Sequence, residues 1–139
     1  MVESIIKSLL IKITYNLPVK IIKDHSIKPF TYRYHLCSLS KNGPGLCIHR
    51  IVASDPDRGY HDHPWNHAIS FILAGGYEER LDKYEQCQRG RFVKRWTFNY
   101  INGTNKHHRI MLPENTETLT LFAYGIRCKT WGFMKIVNG

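Results

Sequence analysis

Gly59-Tyr60-His61-Asp62-His63-Pro64-Trp65-Asn66-His67 runs into the apolar segment Ala68–Leu73 and the glycine pair Gly75-Gly76. This stretch reads as a strand, a turn at Pro64, a second strand and a glycine turn. Side chains alternate faces along a strand, so His61 and His63 point the same way, about 6–7 Å apart. Two imidazoles on one face can converge on a single metal ion. Alternatively, they are two surface or core histidines with hydrogen-bonded rings. A third ligand must come from elsewhere. His107-His108 lies in a later strand-like run, and since neighbours face opposite sides, only one of the two can point inward.

Outward from this stretch the chain is a series of short β-rich runs. Val19–Ile22, Thr31–Leu36 and Leu46–Val52 precede the histidine run, itself a strand over Gly59–His63. Ala68–Leu73, Tyr77–Tyr84, Arg91–Phe98, His107–Leu112, Thr118–Tyr124 and Lys129–Ile136 follow. Turn signals at Asn42-Gly43-Pro44-Gly45, Ser54-Asp55-Pro56-Asp57, Gly90, Asn102-Gly103, Pro113 and Gly125 separate them. Many short strands with Gly and Asn turns predict an all-β chain, an antiparallel sandwich or barrel. At the N-terminus, Ile5, Ile6, Leu9, Leu10 and Ile13 have helical spacing, which predicts a short amphipathic helix ending before Pro18. A strand is the alternative, because Leu9–Tyr15 is rich in β-formers. With no repeat and no composition break, residues 1–139 form one domain with its core over about 19–137.

Composition excludes several classes. Of 139 residues, 42% are hydrophobic and 22% charged, which suits a packed core rather than disorder. The net charge of +9 comes from 20 basic and 11 acidic residues. The basic residues are scattered apart from Arg89, Arg91, Lys94 and Arg95, and no nucleic-acid signature sits among them, so a solvated basic surface is expected. No run of about 18 apolar residues occurs, so no membrane span is expected. Ile5–Ile13 is interrupted by Lys7, Ser8 and Lys12 and lacks signal-peptide features. Cys37, Cys47, Cys87 and Cys128 form no CxxC pair, so reduced thiols in the core of a cytoplasmic protein are expected. Neither a GxSxG elbow around Ser70 nor a phosphate-binding glycine loop is present.

Gly59 to Gly75 resembles the first motif of the cupins: two histidines one residue apart, a proline turn, a strand and a closing glycine. His61, His63, Pro64 and Gly75 fall in register, and the histidine of the second motif matches His108 or His107. The resemblance goes further. Leu46-Cys47-Ile48-His49-Arg50, Ser54-Asp55-Pro56-Asp57-Arg58, His61-Asp62-His63-Pro64-Trp65, Gly75-Gly76-Tyr77, His108-Arg109-Ile110, Thr120-Leu121-Phe122 and Trp131-Gly132-Phe133 look like small single-domain bacterial and viral cupins with an HDHPW motif. The similarity covers about Tyr32 to Phe133. It implies a jelly-roll β-barrel with a metal site inside its mouth, but no substrate, since one fold hosts many functions. The His-Arg-apolar pattern selects His108 over His107, which puts His108, Ile110 and Leu112 on the inner face.

The chain departs from the family pattern at one ligand. Many cupins supply a glutamate in the strand after the histidine pair; in register that position is Ala68, and a turn one residue shorter puts His67 there. His67 is therefore either a fourth ligand or an imidazole on the opposite face in place of an aromatic ring. Without it, the site is His61, His63 and His108, similar to the thiol-dioxygenase branch of cupins, and three neutral imidazoles leave open positions on the ion. Iron(II) is the favoured divalent ion, with manganese, nickel, zinc and copper also suited to imidazole. Tyr77 and Glu79 share a strand face and are the candidate catalytic pair, a phenol donor and a general base. The competing reading packs Tyr77 and salt-bridges Glu79. Arg50 and Arg109 either bind an anion or tie loops through Asp55 and Asp57, and the second is favoured because that loop precedes the histidines. Trp65 and Trp131 line a pocket or belong to the core.

These readings converge on a metal-dependent, dioxygenase-like enzyme acting on a small polar or anionic molecule. The alternatives are a small-ligand-binding module without catalysis and a metal-independent sugar isomerase or epimerase. The resemblance to cupins also implies a homodimer formed by sheet extension.

Overall fold

The computed structural model describes residues 1–56, 59–81, 90–102 and 106–134. Expectations for Asp57, Arg58, Cys87, Arg89, Gly103 and the strand ends 82–84 and 135–136 lie outside the described residues.

The N-terminal segment is a helix, α1 (Val2–Thr14), with Glu3 in its first turn and Lys12 in its last, both favourable to the helix dipole. Thr14 closes the helix by donating its hydroxyl to the Leu10 carbonyl at 2.9 Å. Of the five apolar residues at helical spacing, only Ile6 and Leu10 pack, against Ile48, Ala74, Leu119 and Leu121. Ile5, Leu9 and Ile13 are exposed. The stripe is wider than the single line of contact that a helix lying on a sheet can bury.

Eleven strands follow among the described residues: β1 (Val19–Lys23), β2 (Pro29–Ser38), β3 (Gly45–Ile51), β4 (Tyr60–His61), β5 (His67–Ala74), β6 (Gly76–Leu81), β7 (Arg91–Lys94), β8 (Phe98–Asn102), β9 (His108–Met111), β10 (Thr118–Tyr124) and β11 (Phe133–Met134). They form two antiparallel sheets, in the orders β1-β2-β3-β10-β5-β8 and β11-β4-β9-β6-β7. This is the double-sheet jelly-roll barrel that the sequence predicted.

The single strand expected over Arg91–Phe98 is in fact two. The chain turns at Arg95-Trp96, with Trp96 at φ +65°, and crosses from the five-stranded to the six-stranded sheet. No Gly or Pro marks this turn, so the sequence pattern runs through it. The β5–β6 crossover is legible by contrast. Gly75 has φ +77°, and a Cβ there would meet the Glu117 carbonyl oxygen at 2.4 Å. The Thr118 hydroxyl clamps the crossover, accepting from the Gly76 amide at 3.0 Å and donating to its carbonyl at 2.8 Å.

Register then decides which side chains enter the barrel. Arg33 of β2 pairs with His49 of β3, and His49 with Thr120 of β10. These three buried residues form one row across the inner face. Ile48 and Leu121, one residue off, face α1. Among the described cysteines, Cys47 is in the core and Cys37 and Cys128 are exposed, which corrects the expectation of a core position for those two. No helix among the described residues is long and apolar enough to cross a membrane.

Candidate metal centre

His61 and His108 are direct partners across the β4–β9 ladder. The strand expected over Gly59–His63 stops at His61, because Asp62 leaves the ladder. Its carboxylate accepts from the Gly132 amide at 2.6 Å and from Lys129. His63 still swings back to the pair: its Nε2 lies 2.8 Å from His108 Nε2. The three rings stand edge to face, with centroids 4.7–5.1 Å apart and planes 61–76° apart. One ring nitrogen from each of the three lies within 4.8 Å of the others. His108 and His63 are buried and His61 is half-buried. His107 points elsewhere, with its Nε2 3.6 Å from Asp62.

What stands behind the rings fixes which nitrogen faces inward. Asp55 Oδ2 lies 3.3 Å from His61 Nδ1. Glu79 Oε1 lies 2.8 Å from His108 Nδ1. A carboxylate on Nδ1 holds the proton there and leaves the Nε2 lone pair free to ligate. His63 is held neutral in another way. Burial pushes its pKa well below the usual value, and the neighbouring His108 and His61 lower it further. Its Nδ1 is buried without a hydrogen-bond partner. Three converging imidazoles, two of them oriented by carboxylates, are a donor set that fits a divalent transition metal.

Glu79 sits behind His108 and does not face the open cavity. Burial alone would raise its pKa, but donors from His108, Asn99 and Lys106 outweigh this and hold it well below the usual carboxylate range. Arg91 adds a bond to Oε2 at 2.8 Å. Both oxygens are therefore engaged. Tyr77, on the same strand face, lines the cavity. Asn99 donates to its oxygen at 3.0 Å, and burial pushes its pKa up to about 12. It is thus a neutral phenol, hydrogen-bonded to Asn99 and Ser70.

His67 is not brought to the cluster. It is exposed on the outer face of β5, paired with the Tyr100 hydroxyl. Ala68 takes the inward position instead, packed with Trp65, Cys47 and Phe122. His67→Ala should therefore leave the metal content of the purified protein unchanged, measured by mass spectrometry; a drop comparable to that of a His61 variant would place it among the ligands. Arg50 and Arg109 tie loops: Arg50 donates to Glu117 at 2.8 Å and Arg109 to the Asp55 carbonyl at 3.4 Å.

The opposite wall holds residues that sequence reasoning missed, Arg33 and His49. Alternation sets Arg33 and Tyr34 on opposite faces of β2, and the pairing of Arg33 with His49 on β3 is what turns Arg33 inward. Arg33 Nε donates to His49 Nε2 at 2.9 Å. Its guanidinium lies 5.2 Å from the Trp65 ring and 5.9 Å from Trp131. Burial and then Arg33 push the His49 pKa well below the usual value, and burial raises the Cys47 thiol to about 11. A cavity of about 350 Å³ lies between the walls, lined by the three histidines together with Arg33, His49, Tyr77, Thr120 and Trp131.

The two fully buried neutral histidines set a pH dependence. His49 and His63 have folded pKa values below their unfolded value of 6.5. As pH falls past 6.5 the unfolded chain takes up protons that the native state refuses, so stability is full above that pH and is lost below it. In metal-free protein the loss should approach about 2.7 kcal/mol per pH unit, two protons' worth, between pH 6 and the lowered folded values. Urea unfolding across pH 5–8 reads this slope; a flat profile would contradict it.

No protein-family model matches the chain, and no curated protein sequence matches it. Solved structures do. The polyketide cyclase RemF from Streptomyces resistomycificus aligns over 90% of this chain and 84% of its own, with 17% identity and TM-score 0.63. An iron(II) form of HppE aligns over 79% of this chain and 57% of its own, with 8% identity and TM-score 0.61. An RmlC-like cupin from Ralstonia eutropha aligns over 81% and 65%, with 10% identity and TM-score 0.59. The fold is that of the cupins, and its neighbours include an iron-bound protein.

Proposed function

We propose that the chain is a mononuclear metal-dependent oxidoreductase that acts on a small polar or anionic molecule. The observation that carries this reading is the set of three edge-to-face imidazoles, two of them backed by carboxylates, at the wall of a cavity. His61, His63 and His108 are the ligands, and iron(II) is the ion favoured. HppE, with the same fold, is described in its iron(II) form. Bound there, the ion would polarise a substrate or bring it together with dioxygen. The chain's own residues do the rest. Asp55 and Glu79 hold the ring protons of His61 and His108 on Nδ1. Tyr77 presents its phenol to the bound molecule, and the aromatic walls exclude water.

Anaerobic loading with iron(II), followed by nitric oxide as a dioxygen surrogate, tests the reading. One iron per chain with an iron–nitrosyl EPR signal is expected. Failure to bind iron, or bound iron that takes up no nitric oxide, would contradict it.

A further inference from the structure

We propose that the cavity selects carboxylates, and that Arg33 is the residue that recognises them. The inference deepens the reading of this cavity as a substrate site and rests on it. Arg33 is a buried cation with 6% of its surface exposed. Its Nε is spent on His49. Among the described residues no carboxylate or carbonyl meets its two terminal nitrogens. Buried charges are ordinarily paired, because an unpaired one costs several kcal/mol of desolvation. Among the described residues, the other buried charged groups have polar partners: Glu79 with Arg91 and Lys106, Asp62 with Lys129, and Asp55 with the Ile110 amide and His61. Arg33 is held by tryptophan faces instead, which fix the plane of the guanidinium without neutralising its charge.

A second observation points to the same place. Thr120 is 1% exposed, and its hydroxyl is buried without a hydrogen-bond partner. It lies in the Arg33–His49–Thr120 row and lines the same cavity. A planar fork of two N–H groups matches a carboxylate edge, and a hydroxyl in the same row can donate to a further oxygen. Trp131 lies against both Arg33, 5.9 Å from its ring, and the His63 ring, at 5.2 Å. A molecule anchored on Arg33 therefore presents its remaining atoms to the histidines.

The test uses lactate and its neutral amide, lactamide, as probes on the 139-residue protein, once stripped of metal and once loaded with zinc. Isothermal titration or ligand-observed NMR reads the binding. Metal-free wild type should bind lactate about tenfold or more tightly than lactamide, the size of a charge-assisted hydrogen bond. Arg33→Met keeps the apolar stem between the tryptophans and should bring lactate and lactamide to equal affinity, because only the carboxylate loses a charge-assisted bond. Its melting temperature should stay the same or rise, because an unpaired buried charge is removed. Equal binding of the two probes by metal-free wild type, or an unchanged lactate preference in Arg33→Met, would overturn the proposal. The zinc arm separates this from the metal reading. Zinc bound without an Arg33-dependent lactate preference sinks only the carboxylate site. The preference without zinc binding leaves Arg33 standing and sinks the metal centre.

Discussion

His61→Ala should abolish stoichiometric metal binding and, with it, any metal-dependent turnover. The site has three neutral ligands and no carboxylate on the ion, so each imidazole carries a large share of the affinity. Losing a group behind a ligand typically costs about 10–100-fold in affinity, and losing the ligand itself costs more. His61 is the informative position because it is only half-buried, on a two-residue strand, so its removal leaves a modest void. His108→Ala would remove the same ligand count but would also strip a donor from Glu79. Metal content after anaerobic loading, with circular dichroism as the control for folding, checks the prediction. A folded His61→Ala protein that keeps one tightly bound ion would show that the triad is not the site.

Substitution of Glu79 should have the second largest effect, and it should split by variant. Glu79→Ala leaves His108, Asn99 and Lys106 without their common acceptor inside the barrel. Breaking a buried charged network in this way costs about 3–5 kcal/mol. Arg91 softens the loss, since its side chain is 60% exposed and can rehydrate. Glu79→Gln keeps the volume but turns an amide N–H toward donors. The protein should fold with reduced stability, and metal affinity should drop about 10–100-fold because His108 loses the partner that fixes its tautomer. Urea unfolding and competitive metal titration read the two effects separately. If Glu79→Gln bound metal as tightly as wild type, Glu79 would be only a stability element.

Much of this was legible in the residues because strand alternation is a strong constraint. The His61–Asp62–His63 spacing sets two rings on one side, alternation admits one of His107 and His108, and the resemblance to the cupin motif selects His108; the structure brings the three together. Gly75 marks its crossover because only glycine fits so close to the Glu117 carbonyl. What escaped notice depended on long-range register. The turn at Trp96 uses a non-glycine residue at positive φ, which no pattern announces. Arg33 enters the barrel because β2 pairs with β3 so that Arg33 lies opposite His49. Glu79 reads equally well as a base or as an ion pair until Asn99, Lys106 and Arg91 are seen around it, and those residues are far along the chain.

The central claim is that His61, His63 and His108 together hold one metal ion. X-ray absorption of the anaerobically iron-loaded protein tests it most directly. The account predicts one iron per chain in a nitrogen and oxygen shell, with the multiple-scattering pattern of three imidazoles that falls to two in His61→Ala if any iron remains. A sulfur shell, or a wild-type spectrum without imidazole scattering, would contradict it.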